Sequence, residues 1–456
     1  MKGASTIALR VTLAIVAALV MQCPLSMDAV AQSGMEWKEF TRKLDPYFAE
    51  DLIEDLRTTL PQGTQYRVWG WDVGDFSGDG VTDVAFSINI LGTRKRECVV
   101  YMFVDVEGFL VNVSKQPLAY VDLPLEVGVV IRDGACYVTQ KRKAESWTIK
   151  GYQYRDGAHV LLDEFLSDRV GSYGREMYRN YRTLDTWERF VGPKGDTEFR
   201  TDYLTIPVYG RGRQVVAGYA TDVIVDRVKN VHEGAYWWKG PEDCSFTSRA
   251  VYDDDHLYVR IDVVDDKVVT GWCDTCVADR VDIWFDASAP DESTASRSIG
   301  KDSKGDITFR GQSDSGLYVV SIRIGDFEDV RPSVRVRTTD DLTPEQEAAV
   351  RDVRVVTALR SDGYVVKVRV PFLLMGFSRA PVDAAVPVDV GCTIAVSDVD
   401  NEFRAEETSV ISTSELQALR PASFGALRMI AGDAWYGQAT NIYAESVFQS
   451  LRDLGF

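Results

Sequence analysis

Asp75-Phe76-Ser77-Gly78-Asp79-Gly80-Val81-Thr82-Asp83 sets oxygen-bearing side chains at loop positions one, three, five and nine, with glycine at position six. Alternate residues of a tight turn can all point inward, and a hard divalent cation takes several oxygen ligands at short range. Gly80 allows a sharp bend that a side chain would block. The Val81 carbonyl supplies an oxygen at position seven. The chemistry expected of Asp75, Ser77, Asp79, Val81 and Asp83 is therefore calcium binding. Position twelve is Phe86 rather than a bidentate glutamate, which argues against an EF-hand. The alternative is an Asp-Gly turn between two strands that holds no metal.

A second set of residues suits recognition rather than catalysis. Tyr236-Trp237-Trp238 and Trp272 lie just before expected strands, where loops can present rings to a sugar face. The competing reading is core or inter-domain packing, and Trp284, inside a strand, is read as core. Asp253, Asp254, Asp255, Asp265, Asp266, Asp279, Asp398 and Asp400 form a third set, able to hold further calcium or to act as solvated turns. Signals of catalysis are poor. The three histidines, His159, His232 and His256, sit in no nucleophile-elbow or zinc-protease pattern. No local pattern singles out the facing carboxylates that glycoside hydrolysis requires.

The elements that must position these groups are mainly β. Residues 32–60 read as an N-terminal helix, with Phe40, Leu44, Tyr47, Phe48, Leu52, Ile53 and Leu56 on one face and Pro46 bending or splitting it. Residues 61–170 read as a β-module, with strands separated by turns such as Arg132-Asp133-Gly134 and Arg155-Asp156-Gly157. Residues 171–204, polar and aromatic, read as a linker with a short helix. Residues 205–430 hold a second β-rich block whose strands alternate apolar and polar residues, the pattern of an antiparallel β-sandwich. Ser361-Asp362-Gly363 reads as a hairpin turn and Thr343-Pro344-Glu345-Gln346 as a capped helix start. Residues 431–456 read as a short helical tail.

Residues 1–31 read as a secretory signal peptide. Lys2 and Arg10 precede an apolar run, Val11–Met21, too short to span a membrane comfortably, and Ala29-Val30-Ala31 offers a cleavage site. Cys23 raises a lipoprotein alternative, but Gln22 stands where a small residue is needed. With no other long apolar segment, a secreted, periplasmic or cell-surface location without a membrane span is expected. The chain carries 51 Lys and Arg against 69 Asp and Glu, a formal net charge of −18, which argues against nucleic acid or anionic lipid as partners. Beyond the signal lie Cys98, Cys136, Cys244, Cys273, Cys276 and Cys392, an even set that suggests disulfides in an exported protein. Cys98 with Cys136, and Cys244 with Cys273 or Cys276, are the expected pairs. Cys273-Asp-Thr-Cys276 also has redox or zinc spacing, but no thioredoxin-type pattern surrounds it.

Two resemblances follow from these motifs. Asp75–Asp83, with the apolar strand after it, resembles the FG-GAP or VCBS-type calcium loop, in a single copy that argues against a full propeller. The second block resembles the family 9 carbohydrate-binding modules and their DOMON-like relatives over most of 215–430. Six segments carry that resemblance: residues 250–259, 262–266, 279–286 (with Asp282 where the family has Glu), 368–372, 394–400 and 424–427. It implies a β-sandwich, structural calcium and glycan binding. The resulting expectation is an exported, calcium-stabilised, non-catalytic carbohydrate-binding protein using Trp237, Trp238 or Trp272. A protein-interaction or surface module with a cell-surface protein partner is the alternative. Less favoured are a glycoside hydrolase and a haem-binding DOMON-like protein using His232 or His256.

Overall fold

The computed structural model describes residues 34–60, 62–91, 97–114, 126–143, 146–155, 157–170, 173–195, 197–212, 220–270, 277–286, 299–301, 307–309, 317–338, 341–383, 387–416 and 423–431. The expected signal peptide, helical tail, Trp272, Cys273 and Cys276 lie outside them. The described chain is mainly β, with the sandwich in its C-terminal half, as the alternation of residue types implies.

Two short helices, α1 (Trp37–Leu44) and α2 (Glu50–Thr58), replace a single N-terminal helix, and the break falls around Pro46. They cover a four-stranded antiparallel sheet: β1 (Tyr66–Gly74), β2 (Asp83–Ile90), β3 (Glu97–Val106) and β4 (Phe109–Asn112). Phe40, Leu44, Ile53 and Leu56 meet Val84, Phe86 and Ile88 on one face of this sheet. Its other face packs Ala85, Val100 and Met102 against a second sheet. Burial on both faces explains the consecutive apolar residues Val84, Ala85 and Phe86 of β2.

That second sheet is a continuous antiparallel meander: β5 (Glu126–Arg132), β6 (Ala135–Lys143), β7 (Ser146–Arg155), β8 (Ala158–Val170), β9 (Tyr173–Asn180), β10 (Asp185–Val191) and the long β11 (Thr197–Gly210). Residues 171–204 are therefore not a linker with a short helix. The inward positions of β9 and β10 include Arg175, Arg179, Thr186 and Glu188, so polar residues occupy buried sites and no apolar alternation shows in the sequence.

The sandwich continues from β11. Its strands are β12 (Val223–Val225), β13 (Val231–Glu233), β14 (Cys244–Tyr252), β15 (His256–Asp265), β16 (Arg280–Asp286), the small pair β17 (Ile299–Lys301) and β18 (Ile307–Phe309), β19 (Leu317–Arg323), β20 (Ser333–Thr338), β21 (Arg354–Arg360), β22 (Gly363–Pro371), β23 (Val388–Val399), β24 (Thr408–Ser412) and β25 (Gly425–Ile430). One layer runs β12-β14-β15-β22-β21. The other runs β13-β24-β23-β16-β19-β20, with β25 beside the first half of β23. Strand β11 lies parallel to both β25 and β14 and so joins the layers. Between them sit Phe246, Ile261, Ile283, Phe285, Val320, Tyr364, Ile394 and their neighbours. A helix, α3 (Pro344–Asp352), opens with the expected capping box between Thr343 and Gln346.

Meander and sandwich share a buried joint. Asp389 pairs with Arg179 at 2.6 Å and with Arg428 at 3.2 Å, and all three side chains are about nine-tenths buried or more. Ala135, Val160, Leu162 and Tyr181 pack there against Tyr209 and Ile430.

Candidate functional site

The Asp75–Asp83 loop closes the β1–β2 hairpin, and Gly78 and Gly80 take positive φ of 80° and 86°. Its carboxylates face the loop's own N–H groups. Asp83, fully buried, accepts the N–H groups of Phe76, Ser77 and Asp105 at 2.9, 2.9 and 3.1 Å. Burial pushes its pKa up to about 6 against those three donors. Asp75 accepts from Ser77 Oγ and the Gly78 and Gly80 N–H groups, and Asp79 accepts from Val81 N–H at 2.8 Å. The loop's turn is thus held by its own hydrogen bonds.

Carboxylates gather differently at one end of the sandwich. Asp265 ends β15, Asp279 precedes β16 and Asp398 lies near the end of β23. Each offers an oxygen, and these all lie within 4.8 Å of one another. Asp279 accepts the N–H groups of Val269 at 2.6 Å and Val399 at 2.9 Å, and Asp398 accepts Ser409 Oγ at 3.1 Å. Asp265 Oδ1 accepts Lys267 N–H at 2.7 Å, while its Oδ2 is buried without a partner. Among the described residues no Lys or Arg pairs with any of the three. Burial, and then the neighbouring Asp265, push Asp398 up to about 7 and raise Asp279 as well; burial raises Asp265. Three hard oxygen donors with one orphaned oxygen fit a calcium ion, which would neutralise charges the protein itself leaves uncompensated.

Beside it, Asp243, Asp266 and Asp400 form a second cluster. Here the protein supplies the cation. Lys239 Nζ lies 3.1 Å from Asp243 and 2.6 Å from Asp400, and both carboxylates raise its pKa. Sequence reading missed Asp243, whose distance along the chain from Asp400 hides the pairing. Asp253, Asp254 and Asp255 join neither cluster. Asp253 instead fixes its own turn by accepting from Asp255 N–H, His256 N–H and Tyr258 OH.

The aromatic candidates separate. Trp237 is 37 % exposed and stands edge-on to Tyr236, itself 89 % exposed. Trp238 packs against the sandwich core and donates its Nε1 to the Cys244 carbonyl at 2.7 Å, so it is structural. Their loop starts at Gly234, whose φ is +64° and where a Cβ would lie 2.1 Å from the Thr408 carbonyl. That close approach sets the ring pair beside the start of β24.

A polar face that sequence reading did not select lies on the outer side of the β16 layer. Inward residues Val281, Ile283 and Phe285 force Arg280, Asp282 and Trp284 outward, correcting the core reading of Trp284. Trp284 packs edge-on to Phe424. Neighbouring strands add Ser321, Arg323, Arg335, Arg337, Ser397 and Ser412. Asp282 Oδ2 accepts from Arg280 Nε at 2.8 Å, but its Oδ1 and the Trp284 Nε1 are buried without partners. Such groups are costly unless a ligand or water completes them.

Cys98, Cys136, Cys244 and Cys392 are buried free thiols, so the expected Cys98–Cys136 bond and a Cys244 bond are absent. Cys98 and Cys136 both face the core between the two N-terminal sheets, and burial pushes Cys98 up to about 12. His256 is held by Asp352 at 3.0 Å. Among the described residues no helix is long and apolar enough to cross a membrane.

Comparison with curated proteins finds no match. Among solved structures, a family 9 carbohydrate-binding module from Caldicellulosiruptor kristjanssonii in complex with cellotriose aligns at 16 % identity over 50 % of this chain and 96 % of its own, with a TM-score of 0.29. The same organism's module in complex with glucose aligns at 17 % identity over 50 % and 96 %, with a TM-score of 0.28. Residues 219–301, from just before β12 to β17, match the family model described as carbohydrate family 9 binding domain-like, and the chain therefore carries a family 9 carbohydrate-binding-like region.

Proposed function

We propose that this chain is an exported, non-catalytic glycan-binding protein whose structure is stabilised by calcium. The observation that carries this reading is the outer face of the β16 layer. There a carboxylate oxygen of Asp282 and the indole N–H of Trp284 are buried without a partner among the described residues, beside the hydroxyls of Ser321 and Ser397. A sugar meets this need, because its hydroxyls complete both polar atoms, while the exposed Trp237 at the loop end of the sandwich offers a separate ring for stacking. The match of residues 219–301 to a carbohydrate-binding family supports the same reading.

Calcium would be held by Asp265, Asp279 and Asp398, and at the Asp75–Asp83 loop by Asp75, Ser77, Asp79 and the Val81 carbonyl, with Asp83 closing the turn. In both places it would neutralise charge and fix loops without doing chemistry. The exposed Tyr236 and Phe403, at 89 and 72 %, favour as a second reading a protein partner at the same end of the sandwich. A glycan array probed with the full chain separates the two. Binding to defined glycans, lost in Asp282→Asn, is expected; a uniformly blank array from folded protein favours the protein partner.

A further inference from the structure

We propose that the glycan recognised by this face is acidic, bearing carboxylates at intervals along its chain, as a polyuronate does. This rests on the glycan-binding reading of the same face and names its substrate class. Arg280, Arg323, Arg335 and Arg337 project from the outer side of three adjacent strands, β16, β19 and β20. The pairing sets Arg280 directly opposite Arg323, Arg335 opposite Ser321 and Arg337 opposite Val319. Inward-facing Val320, Ile322, Val334 and Val336 fix these directions.

Like charges facing each other across an antiparallel pair are destabilising. Composition does not force the arrangement, because the chain as a whole is strongly acidic, at −18. Among the described residues, the carboxylates on this face of the three strands are Asp282 and Asp286, the latter at the far end of β16 opposite Leu317. Asp282 pairs with Arg280, and among the described residues Arg337 reaches Ser321 Oγ, at 3.3 Å, and no carboxylate. The β19–β20 turn brings Asp326, Glu328 and Asp329 nearby, but Asp326 is committed to the N–H groups of Glu328 and Val330. Among the described residues, Arg323 and Arg335 make no ion pair.

Guanidinium forks match carboxylates bidentately and are more weakly hydrated than ammonium groups. Arg335 and Arg337, two residues apart on one strand face, stand about 7 Å apart along the strand. The strands that carry the exposed arginines, β16, β19 and β20, span about 10 Å at ~4.8 Å per step. The arginines would take the carboxylates, while Asp282, Trp284 and the serines take hydroxyls.

Calorimetric titration of the full chain with polygalacturonate, neutral cello-oligosaccharides and dextran sulfate tests this. Polygalacturonate should bind, weakening with added salt. The Arg335→Gln, Arg337→Gln double variant should lose at least about tenfold in affinity for it, the worth of one charge-assisted hydrogen bond, and proportionally more than it loses for any neutral glycan. Thermal melting of the variant confirms that it folds. Binding to neutral glycans alone would overturn the acidic-substrate inference and leave the glycan-binding reading standing. Binding to no glycan would overturn both. Equal loss of polygalacturonate and dextran sulfate in the double variant would show a general polyanion surface and overturn the inference.

Discussion

The loop at Asp75–Asp83 and the cluster of Asp265, Asp279 and Asp398 are both carboxylate assemblies, but they balance their charge in opposite ways. In the loop, backbone N–H groups already serve Asp75, Asp79 and Asp83, with Asp83 taking three. In the cluster, carboxylates face one another, one oxygen is orphaned, and no basic side chain answers them among the described residues. The first is a turn that can admit a cation. The second is a charge problem that a cation would solve. The neighbouring Asp243, Asp266 and Asp400 show the protein's other solution, a built-in ammonium from Lys239.

Asp83→Ala should cost the most, about 4 kcal/mol in denaturant unfolding, because it strands three N–H groups. That loss should be the same with calcium and with chelator; a loss confined to calcium-containing buffer would make Asp83 chiefly a ligand. Next in size, chelation at pH 8 should lower the stability of the parent by about 3 kcal/mol, the worth of a cation held well above its dissociation constant. Identical melting curves with calcium and chelator would remove calcium from the account. In chelator, a smaller trend with pH should appear. Asp398 is raised to about 7 when folded, and Asp265 and Asp279 are raised too, so the folded state holds protons that the unfolded state has released. Stability is then full at low pH and falls as pH rises through 7, by about 2 kcal/mol between pH 5 and 8. Calcium should flatten that slope, and a slope unchanged by calcium would contradict ligation there. Smallest of all, Asp79→Ala should cost under about 1 kcal/mol, and only when calcium is present.

What was legible in the sequence follows the same division. Asp75–Asp83 is contiguous, so its spacing could be read directly, as could the capping box at Thr343 and the hairpin at Ser361-Asp362-Gly363. The Asp265 cluster draws on three segments whose meeting depends on the pairing of β16 with β23. The same holds for the face carrying Arg280, Arg323 and Arg335, since strand alternation shows that each points to one side but not that they share it. Trp238 and Trp237 are adjacent in sequence with opposite fates, settled by the reach of one indole N–H to the Cys244 carbonyl. Strands β9 and β10 escaped notice because they bury Arg175, Arg179 and Glu188 where apolar residues are expected. The cysteine count suggested disulfides, whereas Cys98 and Cys136 serve as apolar filling.

On the reading proposed above, the outer face of the sandwich binds a glycan and calcium at its loop end holds the site in place. The most direct test is calorimetric titration of the full chain, in calcium and in chelator, with a glycan selected from the array. Binding in calcium should weaken in chelator and disappear in a folded Asp282→Asn variant. Folded protein that binds no glycan in either buffer, or binding that survives Asp282→Asn unchanged, would contradict it.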